Sequence, residues 1–305
     1  MAILAVSAVI VLALGHWVIS FVLMGIAMAV NWQMEAFPFS FNIKSDRDAN
    51  KSNIKILTCN LNRAYTTSVN NGTEQEVADF IRKQEADVVL LQEFNPLIYK
   101  QIDDILRNSY PYGIDDDEGN RFKSVYSRYV IKEYKQLTTE KEVLPVCSME
   151  VCVNGVNILV FNCHLKSNEF STVYRAVKNS HKNLLSGVPK SISSIMRGYK
   201  TRQYQTRMIL NEIVNSEQPV FLCGDLNDVC GSRVLRSFKK AGFKDAWWQL
   251  GNGLGFTYWG MNMRFRLDHI LYRGKSISPN SIKVLNSNFS DHRPMVATFC
   301  VKKCF

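Results

Sequence analysis

The chain has 305 residues, 46% hydrophobic and 21% charged, which excludes a disordered or collagen-like polymer and suits one large domain with an appendage. Lys and Arg number 37 against 27 Asp and Glu, and the resulting +10 favours polyanionic partners without specifying one. That charge is unevenly spread, because residues 1–30 contain no Asp, Glu, Lys or Arg.

Only Ser7, Gly15, His16, Ser20 and Gly25 interrupt the apolar run of residues 1–30. About 20 apolar residues cross the ~30 Å hydrocarbon core of a bilayer, so this stretch is expected to be a transmembrane anchor. A secretory signal would start with basic residues and hold an apolar run of about 7–15; this run has no basic start and is longer. Lys44, Arg47, Lys51 and Lys55 follow it, and by the positive-inside rule they favour a cytoplasmic domain. The eight cysteines leave the side of the membrane open. Cys59, Cys163, Cys223 and Cys300 lie in apolar runs where cysteine acts as a small hydrophobe. No Cys-x-x-Cys metal pair occurs, and Cys147/Cys152 and Cys300/Cys304 stand as alternative bridges.

Residues 31–53 read as a linker, and one domain is expected over residues 54–305. Ile54 to Cys59 reads as a buried strand. Thr73 with Glu76 makes a capping box for a helix reaching about Gln84. Val88 to Leu91 reads as a strand running into Gln92-Glu93. Asn154-Gly155 between two apolar runs is a strong hairpin signal. A long basic helix is expected over residues 191–214, and strands at Val220 to Cys223, Leu267 to Tyr272 and Met295 to Val301. The pattern implies an α+β sandwich around one core, with no second catalytic domain.

Polar residues gather where the apolar runs stop. The clusters are Asn60-Leu61-Asn62, Gln92-Glu93, Asn162-Cys163-His164, Gly224-Asp225-Leu226-Asn227 and Ser290-Asp291-His292, with Arg266-Leu267-Asp268-His269 at the start of a strand. Each alone could be a turn. Strands in register would bring them to one rim, and the inventory suits phosphoester hydrolysis. A hard cation such as Mg²⁺ takes oxygen ligands, for which Glu93 is the natural carboxylate. Asp225 or Asp291 could share the metal or activate water. Asn60, Asn62 and Asn227 can donate to phosphate oxygens, and a histidine can protonate the leaving group.

In this order the clusters resemble the endonuclease/exonuclease/phosphatase superfamily over roughly Ile54 to Val301. The resemblance implies a four-layer α/β/β/α sandwich of the deoxyribonuclease-I type and a Mg²⁺-dependent phosphoester hydrolase, with Mn²⁺ as a substitute. The apolar leader is similar to that of membrane-attached bacterial members. Carried over residue by residue, Glu93, Asn60 and Asp291 would bind metal, while Asp225 would activate water. Asn227 would contact the scissile phosphate. His292, oriented by Asp268, would face the phosphate, with His164 as a second acid. Asn62 stands where some members carry a metal-binding aspartate, which weakens a two-metal scheme. No carboxylate partner for His164 is legible.

Arg197, Lys200, Arg202 and Arg207 lie on the predicted long helix, after Lys178, Lys182 and Lys190, and Arg202 falls three residues from Gln205. Such a face either is simply solvated or contacts nucleic-acid or lipid phosphates. Asn62, Arg202 and Arg266 are the expected substrate contacts. Phe256-Thr257-Tyr258-Trp259 with Arg264 and Arg266 stacks a base, sits at a lipid interface or packs in the core. The acids Asp115-Asp116-Asp117-Glu118 read as a solvated loop. The reading favoured is a membrane-anchored nuclease or phosphodiesterase with no obligate protein partner. The alternative is the same chemistry on a phospholipid or small phosphoester, and a non-catalytic scaffold is the third.

Overall fold

The computed structural model describes Ser40 and residues 53–62, 73–95, 97–115, 123–139, 142–167, 184–260 and 263–302. The expected anchor, most of the linker, Asp116 to Glu118, Lys178, Lys182 and Cys304 lie outside the described residues. Among the described residues no helix is long and apolar enough to cross a membrane.

Two mixed six-stranded sheets are built from β1 (Ile54–Asn60), β2 (Val88–Gln92), β3 (Tyr112–Asp115), β4 (Lys123–Ser127), β5 (Ile131–Thr138), β6 (Val143–Val153), β7 (Val156–His164), β8 (Val220–Asp225), β9 (Lys244–Asp245), β10 (Asp268–Arg273), β11 (Ile277–Val284) and β12 (Met295–Val301). Their orders are β11-β12-β1-β2-β4-β3 and β5-β6-β7-β8-β10-β9. The helices are α1 (Glu74–Lys83), α2 (Lys100–Ser109), α3 (Leu184–Glu212), α4 (Arg233–Lys240) and α5 (Ala246–Leu250).

Local chemistry explains most of the early elements. β2 and β8 are buried along their whole length, so they are continuously apolar up to their polar ends, as strands covered on both faces are. The Thr73 side chain accepts from the Glu76 N–H and the Glu76 carboxylate accepts from the Thr73 N–H, which closes the capping box of α1. Asn154 and Gly155, at φ 52° and 76°, form the two-residue turn between β6 and β7. The long helix begins at Leu184, ahead of the expected Ser191. Cys147, Cys152 and Cys300 are free thiols. The first two lie five residues apart on one strand, so their side chains point to opposite faces.

The single core expected from the sequence is three layers of apolar packing. Ile56, Val88, Leu90, Phe221, Ile270 and Phe299 belong to the layer between the sheets, with Phe221 and Phe299 edge-to-face at 4.6 Å. Leu57, Val89 and Leu91 face outward onto Val77 and Ile81 of α1 and Ile102 and Leu106 of α2. Leu222 and Val220 face outward onto Ile209 of α3 and Val234 and Phe238 of α4. Since successive residues of a strand point to opposite faces, a strand buried on both sides feeds two layers at once. The order from one side to the other is helix, sheet, sheet, helix.

Candidate active site

Strand register assembles the site. β1 and β2 run parallel with Asn60 beside Gln92, and the chain leaves β2 through Glu93. β7 and β8 run parallel with His164 beside Asp225, and antiparallel β10 sets Asp268 on the other flank of Asp225. Asp291 and His292 immediately precede β12, whose first residue, Met295, pairs with Thr58. Six polar clusters distant in sequence therefore share one rim.

Holding them there requires unusual backbone. Asn62, Glu93 and Asn227 adopt positive φ of 51°, 52° and 50°. Asparagine tolerates this region through local hydrogen bonding, whereas for Glu93 the left-handed conformation costs roughly 1–2 kcal/mol. Gly224 has φ +128°, and a Cβ there would lie 2.0 Å from the Cys163 carbonyl oxygen. Only glycine lets β8 approach β7 closely enough to seat Asp225 beside His164.

Asp225 is the hub. Its Oδ1 accepts from the Asn227 N–H at 2.8 Å, and its Oδ2 accepts from Asn60 Nδ2 and Asn227 Nδ2, both at 3.0 Å. Asn60 Nδ2 also donates to Glu93 Oε1 at 3.3 Å. His164 Nε2 stands 3.3 Å from Glu93 Oε1 and 3.8 Å from Asp225 Oδ2, which supplies the carboxylate partners the sequence leaves unassigned. On the far side, His292 Nδ1 meets Asp268 Oδ2 at 2.8 Å while His292 Nε2 lies 3.8 Å from Asp225 Oδ2. Asn62 donates its amide to Asp291 Oδ1.

Burial pushes the Asp225 carboxyl up from its usual range, against the pull of His292. Burial would also raise Asp268, but the His292 charge and hydrogen bond, with the Thr257 hydroxyl, hold it below. For His292 burial opposes the charged ring, yet Asp268 and then Asp225 outweigh it and push the imidazole up to about 10. Asp291 is raised by burial and by the neighbouring Glu93 charge. Carboxylates that repel one another on a partly open rim are the donor set that suits a hard divalent cation. Oxygen and nitrogen atoms of Asp225, Asp268 and His292 lie within 4.8 Å of one another. Asp268 and His292 satisfy each other, which leaves Glu93, Asp291 and Asp225 as the carboxylates that could hold a cation.

Two expected substrate contacts sit elsewhere. Arg202 is buried, its Nε donating to Asp228 Oδ2 at 3.1 Å and an Nη to the Lys166 carbonyl at 2.8 Å. Gln205, its expected neighbour, is also buried and accepts from the Lys166 N–H. Arg266 is buried against Asp245 Oδ2 at 2.6 Å, with His269 closing the cluster. Arg202 thus ties α3, and Arg266 the entry to β10, to buried carboxylates. The exposed cations of α3 are Arg197, Lys200 and Arg207.

Several supporting residues escape the motif reading. Thr257 Oγ1 accepts from the Leu267 and Asp268 N–H groups, and Ser290 Oγ donates to the Asn60 carbonyl while accepting from the His292 N–H. The Tyr258 ring packs edge-on to His292 at 5.2 Å. Buried Gln92 Nε2 donates to Asn162 Oδ1 at 2.7 Å and ties the two sheets beneath the rim. Ser290 and Gln92 belong to the polar clusters; Thr257 has no sequence signal beyond its aromatic neighbours.

The arrangement defines a two-sheet sandwich with an acid–amide–histidine rim of the phosphoesterase type. A family model described as the endonuclease/exonuclease/phosphatase family matches residues 40–292, and the chain belongs to that family. Members are typically phosphoester hydrolases that use divalent metal. The fold is similar to that of D. rerio TDP2 complexed with a single-strand DNA product, with 20% identity and a TM-score of 0.60 over 81% of this chain and 98% of that one. It is also similar to the Bacteroides vulgatus endonuclease/exonuclease/phosphatase, with 16% identity and a TM-score of 0.59 over 82% of this chain and 99% of that one. The human Nocturnin catalytic domain with bound sulfate matches at 16% identity and a TM-score of 0.57, over 82% of this chain and 94% of that one. A search of curated proteins returned no match.

Proposed function

We propose that the chain is a Mg²⁺-dependent phosphodiesterase acting on nucleic acid. The observation that supports it best is the convergence of Glu93, Asp225, Asp291 and the Asp268–His292 pair on one rim. Glu93, with Asn60 and Asp291 beside it, would hold the cation. When bound, the cation supplies charge neutralisation at the phosphate oxygens. Asp225, raised by burial, orients the attacking water and takes its proton. Asn62, with one amide hydrogen on Asp291, offers the other to a non-bridging oxygen, whereas Asn227, whose amide hydrogens go to Asp225 and the Leu165 carbonyl, holds Asp225 in position. His292 is kept cationic by Asp268 and directs its Nε2 proton at the developing charge. His164, partly exposed beside Glu93, would protonate the leaving oxygen. DNA in the complex of the D. rerio relative fits this substrate class.

The uncharged residues 1–30 favour a second reading, in which the same centre is tethered to a membrane and cuts a phospholipid headgroup. A panel of single- and double-stranded DNA, RNA, sphingomyelin and bis(p-nitrophenyl) phosphate, with and without Mg²⁺, separates the two. We expect Mg²⁺-dependent cleavage of a polynucleotide that Asp225→Asn abolishes while thermal unfolding stays cooperative. Cleavage of sphingomyelin alone would replace the first reading by the second. Undiminished turnover by Asp225→Asn would refute both.

A further inference from the structure

The buried arginines Arg202 and Arg266 each hold a carboxylate. Two others beside the rim do not. Trp259 is 36% exposed, its backbone N–H donates to the Asp291 carbonyl at 2.8 Å, and its indole N–H donates to the Phe256 carbonyl at 3.2 Å. The guanidinium carbon of Arg264 lies 4.1 Å from the Trp259 ring centroid, and that of Arg293 lies 3.6 Å from it. Arg293 directly follows His292, and its N–H donates to the Thr257 carbonyl at 2.7 Å. Among the described residues neither guanidinium is paired with a carboxylate.

An indole face attracts a cation but leaves its charge in place. Two like charges on one ring therefore repel. The indole lies between the two guanidinium groups, and an anion at the ring edge that accepts from both planar donor forks relieves that repulsion. The backbone ties of Trp259 to Asp291 and of Arg293 to Thr257 fix this pair of cations at a set position relative to His292.

We propose that Arg264, Trp259 and Arg293 form a subsite for a second phosphate of the substrate, adjacent to the phosphate that is cut. This deepens the phosphodiesterase reading and rests on it for the identity of the neighbouring phosphate. A substrate with one phosphate reaches only the catalytic rim, whereas a polynucleotide or a polyphosphorylated headgroup reaches both.

The test is the double variant Arg264→Gln/Arg293→Gln in the full chain. Bis(p-nitrophenyl) phosphate carries one phosphate, and its turnover should stay within about twofold of wild type. KM for single-stranded DNA should rise about tenfold, as expected when two phosphate-neutralising cations are lost. Binding is read separately in EDTA, without turnover, by anisotropy of a labelled oligothymidylate and of a soluble short-chain phosphatidylinositol bisphosphate. The slope of log affinity against log salt should fall by about 1.4 for the single strand, at ~0.7 per cation. A loss confined to the lipid probe supports the subsite and assigns its phosphate to a headgroup. An unchanged salt slope with both probes overturns the subsite, as does an equal loss of turnover on the one-phosphate and many-phosphate substrates. A lowered slope in a protein whose wild type cuts none of these substrates counts against the hydrolase reading alone and upholds the subsite.

Discussion

Replacing Asp268 by Asn tests the electrostatic design of the rim. The substitution keeps the shape of the side chain but removes the charge 2.8 Å from His292 Nδ1. In the metal-free protein His292 is pushed up to about 10, with Asp268 the strongest contributor in that direction. Relative to an ordinary imidazole near 6.5, the preference for the charged ring is about 5 kcal/mol, at about 1.4 kcal/mol per pKa unit. Asp225 and Asp291 remain in the variant, so His292 should fall only part of the way back. The sign follows from a raised folded-state value. The stabilisation from His292 is full below about 6.5, the value in the unfolded chain, and is lost as pH rises through about 10. Asp268→Asn should therefore flatten the alkaline decline of stability between those limits. The assay is an NMR titration of the His292 ring in EDTA, paired with urea unfolding across the same pH range. A wild-type His292 titrating near 6.5, or a variant titrating like wild type, would refute the reasoning.

Asp245→Ala leaves the buried Arg266 without its carboxylate and should cost about 3–5 kcal/mol in urea unfolding, the range for breaking a buried pair from one side. An exposed control, Arg207→Ala, should stay within about 0.5 kcal/mol. Burial opposes the Asp245 charge, but Arg266 and His269 hold its carboxyl well below the usual range. Its contribution is thus present above about pH 4 and lost as the medium is acidified further, so Asp245→Ala should narrow the difference from wild type at low pH. Gly224→Ala meets both a forbidden φ and a 2.0 Å clash with the Cys163 carbonyl, and should cost about 3 kcal/mol or more in thermal or urea unfolding. An unaltered midpoint would mean that β7 and β8 do not approach as described.

Elements whose signal is local were legible from the chain. The capping box of α1, the Asn154-Gly155 turn and the continuously apolar β2 and β8 each carry their own physical cause within a few residues. α2 is a different case. Tyr99 gives its N-terminus no side-chain cap, and the Gln101 N–H is instead met by Glu74 Oε2 from α1 at 3.0 Å, a partner 27 positions away. β11 holds Pro279 and a register shift between Pro279 and Ser281, features that argue against a strand until β12 pairs with it. β5, at the edge of its sheet, alternates too imperfectly to stand out from polar sequence.

The same division runs through the site. Residue type and position at strand ends marked Asn60, Glu93, His164, Asp225, Asn227, Asp268, Asp291 and His292 as one set, because hydrolysis of a phosphate needs carboxylates, amides and imidazoles together. Arginines carry no such positional signal. Spacing on a helix made Arg202 look like a surface contact, and proximity to Asp268 did the same for Arg266. Only the folded chain shows Asp228 and Asp245 waiting inside, and only it leaves Arg264 and Arg293 beside Trp259 with no carboxylate partner among the described residues. By itself the sequence determined the composition of the polar rim and the apolar character of residues 1–30. Which cations are buried in ion pairs and which stay exposed was decided by tertiary structure, because burial and ion pairing depend on partners that the chain brings near only when it folds.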